Sequence, residues 1–247
     1  MKVVIVLISY TFVVNISCFH LPPGITTCSK SDPDFDECLR KSVEDGVYRL
    51  STGDKHLGVV PYEPLYVAMI SVDENPGATV RVAQKFLNIK IHGLSLTKVK
   101  KFKVDFDSCY IYAETLSPLV RTEAEYELKG QLLIFPVNAK GNSNVTTTNL
   151  SIEHNITCQR YMKRGKEYIH LNSYKITAKP EGITYNFDNL FEGNRRLSEQ
   201  IHKTINERAL AIFEEVRGVT EESYSLIFKE IGNKIFNRIP FSEIFKD

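Results

Sequence analysis

The chain has 247 residues, 43% of them hydrophobic. That is enough apolar surface for one large core or two small ones, and too much for a disordered tail or a collagen-like repeat. Lysine and arginine number 31 against 30 aspartates and glutamates. The chain therefore lacks the clustered positive excess that nucleic-acid binding by counterion release requires.

Lys2 precedes an apolar run from Val3 to Val14, and Asn15-Ile16-Ser17-Cys18 follows. A charged start, a short apolar stretch and small residues near a cleavage point read as a signal peptide over residues 1–18. The run is shorter than the roughly 20 residues a membrane-spanning helix needs. No other stretch is long and apolar enough, so the expectation is a secreted chain with no integral membrane span. Its single domain would cover residues 19–247.

Loss of Cys18 would leave Cys28, Cys38, Cys109 and Cys158. An even number in an exported chain suggests two bridges, with three pairings open. Cys28–Cys38 closes a short local loop and is the favoured pair, which leaves Cys109–Cys158. Alternation puts Cys158 on an apolar face and Cys109 among polar residues. Those two side chains meet only if a bulge or register shift intervenes.

The first helix signal is Ser31-Asp32-Pro33-Asp34, a polar cap with proline in the first turn. Phe35, Leu39, Val43, Val47 and Leu50 continue it as a helical apolar stripe. A Cys28–Cys38 bridge would clamp the leading strand to this helix.

From Pro64 to Phe191 the period becomes two. Phe102, Val104 and Phe106 alternate with charged residues, as do Thr122, Ala124, Tyr126 and Leu128. Leu150, Ile152, His154 and Ile156 alternate with Ser151, Glu153, Asn155 and Thr157. Half-buried antiparallel strands have this signature. Turn signals stand at Asn75-Pro76-Gly77, Gly141-Asn142, Arg164-Gly165 and Pro180-Glu181-Gly182. Sequons at Asn144, Asn149 and Asn155 mark glycosylation sites on a water-facing segment.

Near Asn194 the helical period returns. Leu197, Ile201, Ile205, Ala209, Ile212 and Val216 form one stripe, and Gly218 reads as its stop. Thr220 then caps a second helix carrying Tyr224, Ile227, Phe228, Ile231 and Ile235, closed by Pro240. This order is α+β. A sheet this large twists and curls, and the closing helices can cover its apolar face. A strongly curved antiparallel sheet wrapped around a long C-terminal helix, with a short N-terminal helix, is the expected fold. Such a roll can enclose an elongated apolar cavity for a lipophilic molecule.

Catalytic and metal motifs do not emerge. Gly93-Leu94-Ser95-Leu96-Thr97 lacks the second glycine of a nucleophile elbow. There is no H-E-x-x-H, no Cys-x-x-Cys, and the six histidines show no ligand spacing. No enzyme activity, cofactor or metal is expected. His154 falls on an apolar strand face, where it could serve as a polar handle inside a pocket. Lys98, Lys100, Lys101 and Lys103 form a basic cluster, and docking to a partner or an anionic membrane through Lys98–Lys103 is the alternative reading.

The stretch Tyr126-Glu-Leu-Lys-Gly130-Gln-Leu-Leu-Ile-Phe-Pro136-Val-Asn-Ala-Lys-Gly141 resembles the insect juvenile hormone-binding protein/takeout family. So do Phe187-Asp-Asn-Leu-Phe191-Glu-Gly193-Asn194, Ile205-Asn206-Glu207 and Ile239-Pro240-Phe241. The resemblance implies secretion, the rolled sheet around a long helix, an N-terminal bridge matching Cys28–Cys38, and an internal tunnel for a small lipophilic ligand such as a terpenoid or fatty acid. Hormone-carrying members have a second bridge to a cysteine nearer the C-terminus. This chain has none after Cys158, which favours the broader takeout branch. Parity and aromatic character then single out Phe102, Val104, Phe106, Tyr126, Leu128, Leu132, Ile134, His154, Ile156, Tyr185 and Phe187 as residues facing the ligand.

Overall fold

The computed structural model describes residues 20–74, 80–132 and 134–247. The leader reading over 1–18 and the Asn75-Pro76-Gly77 turn lie outside the described residues. Two long strands form the spine of the sheet. Strand β5 (Tyr110–Leu132) and strand β6 (Phe135–Lys163) pair antiparallel in one register, from Tyr110 opposite Thr157 to Leu132 opposite Phe135. Shorter strands β2 (Leu65–Val72), β3 (Val80–His92), β4 (Lys98–Asp105), β7 (Lys166–Lys179) and β8 (Gly182–Phe187) complete a seven-stranded antiparallel sheet. Strand β4 pairs with the first half of β5 and β3 with its second half. Likewise β8 pairs with the first half of β6 and β7 with its second half.

The ladder is interrupted where the sheet must curve. Register shifts fall between Leu87 and Lys90, between Val99 and Lys101, and between Thr157 and Cys158. Along the spine, Pro118 lacks an N–H, and Asn149 opposite it takes a left-handed φ of 46°. There β6 exchanges β8 for β7 as its outer neighbour. Bulges of this kind bend a strand and increase its twist.

Among the described residues the first elements are β1 (Cys28–Ser29) and helix α1 (Phe35–Arg49), joined by the Cys28–Cys38 disulfide. It ends with helix α2 (Arg195–Glu207), helix α3 (Ala209–Phe236), the single turn α4 (Phe241–Ile244) and β9 (Phe245–Lys246), which pairs parallel with β1. The sheet curves around α3, and α1 packs against β4.

Polar side chains hold α3 against the outer edge of β7. The Asn233 amide accepts from Leu171 N–H at 2.8 Å and donates to Leu171 C=O at 3.2 Å. Ser225 Oγ accepts from Ile176 N–H at 3.2 Å, and Glu221 Oε1 from Ala178 N–H at 2.8 Å. Backbone groups that an edge strand leaves unpaired are thus satisfied by helix side chains. Helix α2 is fixed to β8 in the same manner. Asn206 accepts from Tyr185 N–H at 2.7 Å and donates to Tyr185 C=O at 2.9 Å, and His202 Nε2 accepts from Phe187 N–H at 3.0 Å.

Three expectations are corrected. Gly141-Asn142 is not a turn but part of β6. A Cβ on Gly141 would lie 2.6 Å from Asp188 C=O and 3.1 Å from the Tyr126 ring, so this glycine permits a close approach. Gly218 does not stop a helix, and Thr220 does not cap one. Both lie inside α3, where Thr220 Oγ1 bonds back to Val216 C=O at 3.0 Å. The break comes at Arg208, with φ −116° and ψ 19°. Cys109 meets Cys158 through the break in alternation that the pairing required. It sits at a left-handed φ of 50° just before β5, beside the Thr157/Cys158 register shift, and there it bonds Cys158.

Truncating Asn233 leaves two backbone groups of Leu171 without partners. Asn233→Ala is expected to lower unfolding stability by about 2 kcal/mol, read from urea midpoints.

Candidate functional site

A cavity of about 340 Å³ lies inside the roll, with walls set by the periods of the elements around it. Strand β5 contributes every second residue, Ile111, Ala113, Thr115 and Ser117, and β6 contributes Ile152, His154 and Ile156. Helix α3 contributes Phe228, Ile231, Gly232, Ile235 and Phe236 at helical spacing. Helix α1 closes one side with Leu39, Val43, Gly46 and Val47, and Leu21 and Ile25 lie beside it. Val99 and Phe102 of β4 and Leu171 and Tyr174 of β7 complete much of the wall. Among the described residues, this wall includes no aspartate, glutamate, lysine or arginine.

The few polar groups in the wall bond to one another or to the backbone. His154 is 7% exposed. Its Nε2 lies 2.9 Å from Thr115 Oγ1 and its Nδ1 lies 3.0 Å from Tyr174 Oη. Thr97 Oγ1 and Ser117 Oγ are 2.7 Å apart. Tyr62 Oη donates to Val47 C=O and Ser42 Oγ to Thr26 C=O, each at 2.5 Å. Burial disfavours the charged imidazole and holds His154 down to about 4.

The expected ligand-facing residues separate into groups. Phe102, His154 and Ile156 line the cavity. Val104 and Phe106 do not line it; they pack in an aromatic cluster at the disulfide end, shared with Phe102 and Ile156, where the Phe106 ring lies 5.7 Å from Phe241 and 5.0 Å from Phe245. Tyr126, Leu128, Leu132, Tyr185 and Phe187 belong to a second buried cluster at the opposite end, against Ile201 and Ile205 of α2. Tyr126 Oη there donates to Asp188 C=O. Ile134 is corrected outright. It is 77% exposed in the turn between β5 and β6, where strand parity no longer applies. The cavity-lining Thr115, Ser117 and α1 residues are not among the expected set. Hydroxyls on the dry parity of β5 were the available signal.

Outside the cavity, the basic cluster faces carboxylates. Lys98 lies 3.2 Å from Glu44, Lys101 3.4 Å from Glu114 and Lys103 3.9 Å from Asp36. All three sequon asparagines are on β6. Asn149 is exposed, while Asn144 and Asn155 are half-buried. Asn155 Oδ1 accepts from Tyr110 Oη at 2.5 Å. Among the described residues, no helix is long and apolar enough to cross a membrane, and no group of three His, Cys, Asp or Glu could hold a metal ion.

Between pH 6.5 and 4 the unfolded chain binds a proton at residue 154 that the folded chain excludes. Acidification through that window therefore favours unfolding. His154→Leu is expected to remove about 2 kcal/mol of the stability lost between pH 7.5 and 4.5. Denaturant titrations of both proteins at the two pH values measure this share.

The comparisons with known proteins agree with this architecture. The chain superposes on the crystal structure of Epiphyas postvittana Takeout 1 with a TM-score of 0.80 at 20% identity, covering 90% of this chain and 99% of that one. It is 25% identical over 232 residues to the circadian clock-controlled protein daywake of Drosophila melanogaster, 91% of this chain and 88% of that protein. The Drosophila yakuba daywake matches at 28% identity over 131 residues, 53% of this chain and half of that protein's length. A putative beta-carotene-binding protein of Schistocerca gregaria is 23% identical over 170 residues, 68% of this chain and 66% of that protein. The model of the haemolymph juvenile hormone binding protein family matches residues 4–246, and the chain belongs to that family.

Proposed function

We propose that the chain is a secreted, non-enzymatic carrier that holds a small hydrophobic molecule, such as a terpenoid or fatty acid derivative, in the internal cavity. The observation that carries this reading is the cavity itself. It is about 340 Å³ in volume, apolar over most of its wall, and placed between the sheet and α3. Pockets of this size and lining suit small lipophilic ligands. Burial of the ligand supplies roughly 25 cal/mol per Å² before ordering costs. The family name and the locust relative's description support the same class of ligand. Secretion is supported by the leader pattern, by two disulfides and by three sequons. Residues 19–247 act as one binding domain, and Phe102, His154 and Ile156 are the sequence-derived residues proposed to touch the ligand.

Ala113 projects into the cavity from the middle of the β5 wall, and a larger side chain there occupies ligand space. A fluorescent lipophile should bind saturably to the wild-type protein and be displaced by terpenoids or fatty acid esters. Ala113→Phe should weaken that binding about tenfold or more. Absence of saturable binding to the wild-type protein would contradict the carrier reading.

A further inference from the structure

The near-neutral total charge hides a local imbalance at one hairpin. Strand β5 starts at Tyr110, opposite Thr157 of β6. Past that point the strand partner of β6 is β7 alone, from Cys158 opposite Leu171 to Lys163 opposite Lys166. The two strands therefore extend beyond β5 as a ribbon, which reaches about 17 Å past Cys158. Arg164 and Gly165 close it with positive φ values of 52° and 76°, the geometry of a tight two-residue turn. A two-stranded ribbon by itself is marginal in water. This one is anchored at its root by the Cys109–Cys158 disulfide. Tyr161 Oη and His170 Nδ1 add bonds to Asn237 Oδ1, at 3.3 Å and 3.2 Å.

Residues 159–168 carry the four cations Arg160, Lys163, Arg164 and Lys166 against the single carboxylate of Glu167, a net charge of +3, whereas the whole chain totals +1. Glu167 lies 3.6 Å from Arg160. Lys163 and Lys166 stand directly opposite one another. Like charges so placed destabilise a strand pair, and a negative surface relieves the repulsion. Among these charges Met162 is 68% exposed. Tyr161 and Tyr168 pair across the ribbon with ring centroids 5.9 Å apart, and Lys163 Nζ lies 5.6 Å from the Tyr168 centroid. Cations around an exposed apolar side chain and a tyrosine pair match the boundary of a bilayer, where headgroups attract the charge and amphipathic rings settle. A sulfated polysaccharide would use the cations and leave Met162 in water. We propose that the tip of the β6–β7 hairpin docks the protein on phospholipid bilayers bearing anionic headgroups. Leu171, which lines the cavity, is five residues along β7 from Lys166, so the cavity wall begins about 17 Å from the docked tip. The docking does not depend on the carrier reading.

Sedimentation with vesicles tests this, using phosphatidylcholine alone and an equal mixture of phosphatidylcholine and phosphatidylserine. At low salt the wild-type protein should bind the mixed vesicles about tenfold or more tightly than the neutral ones, and added salt should erode the difference. Each cation near an anionic surface contributes about fivefold. The combined variant Lys163→Gln, Arg164→Gln, Lys166→Gln should therefore lose about a hundredfold in binding to the mixed vesicles. Lys100→Gln with Lys103→Gln, in the basic cluster of β4, should bind as the wild type does. The chain contains no tryptophan, so Met162→Trp places a single reporter at the tip. Its emission should move to shorter wavelength on the mixed vesicles and be quenched by brominated acyl chains. This readout decides should the triple variant fail to fold. Equal binding to both vesicles, binding to neither, or a triple variant that binds as the wild type does overturns the proposal. An equal loss in the Lys100 and Lys103 variant overturns its placement on the hairpin. Retention on heparin with an unshifted tryptophan on vesicles assigns the tip to a polysaccharide and overturns bilayer docking.

Discussion

The structure depends on a mismatch of lengths. Strand β6 has 29 residues and β5 has 23. At about 3.3 Å per residue, a straight 29-residue strand would reach about 95 Å. Helix α3 has 28 residues. At 1.5 Å per residue it spans only about 42 Å. A dry sheet face this long buries itself on one helix only by curling around it. The bulges on β3, β4 and β7 and the interruption at Pro118 and Asn149 give the strands places to bend. Helix α2 covers one end of the roll, and the Phe35, Phe106, Phe241 and Phe245 rings plug the other. Between the two plugs, sheet, α1 and α3 meet around unfilled space.

A hollow core normally invites collapse, because interiors pack densely and voids cost stability. Here the helix is not positioned by apolar packing alone. Asn233, Ser225 and Glu221 satisfy backbone groups on the outer edge of β7 and fix α3 to the strand by directional bonds. The same bonds cover an edge that would otherwise be open to pairing with another chain. Ser225 stands one helical turn from Phe228, and Asn233 one turn from Phe236, so the bonds that fix α3 to β7 also set the position of its cavity-lining residues. The edge bonds and the cavity wall are thus two consequences of one arrangement.

Much of this architecture was legible in the alternation of residues. Phe102, His154 and Ile156 face inward as their parity implies, and the helical stripes at both chain ends are helices. Parity, however, reports only which side of the sheet a residue faces. It does not distinguish a solid interior from a hollow one. Val104, Phe106, Tyr126 and Leu128 point inward into packed clusters, whereas Ala113 and Thr115 point inward into space. That distinction is set by how far each helix reaches, a property of tertiary geometry. The glycine signals at Gly141 and Gly218 failed for a related reason. Gly141 answers to Asp188, distant in sequence, and Gly218 lies in a helix whose neighbours on both sides pack against the sheet. The Cys109–Cys158 pair needed a break in alternation, and the left-handed Cys109 beside a register shift provides it.

The central claim is that the interior space exists to be occupied. Native mass spectrometry of the protein purified under mild conditions from the tissue that makes it tests this most directly. The account predicts a native mass exceeding that of the same protein after organic extraction by one small molecule, identifiable in the extract. A protein that leaves its source carrying nothing, and takes up nothing when offered lipid extract from the same tissue, would contradict it.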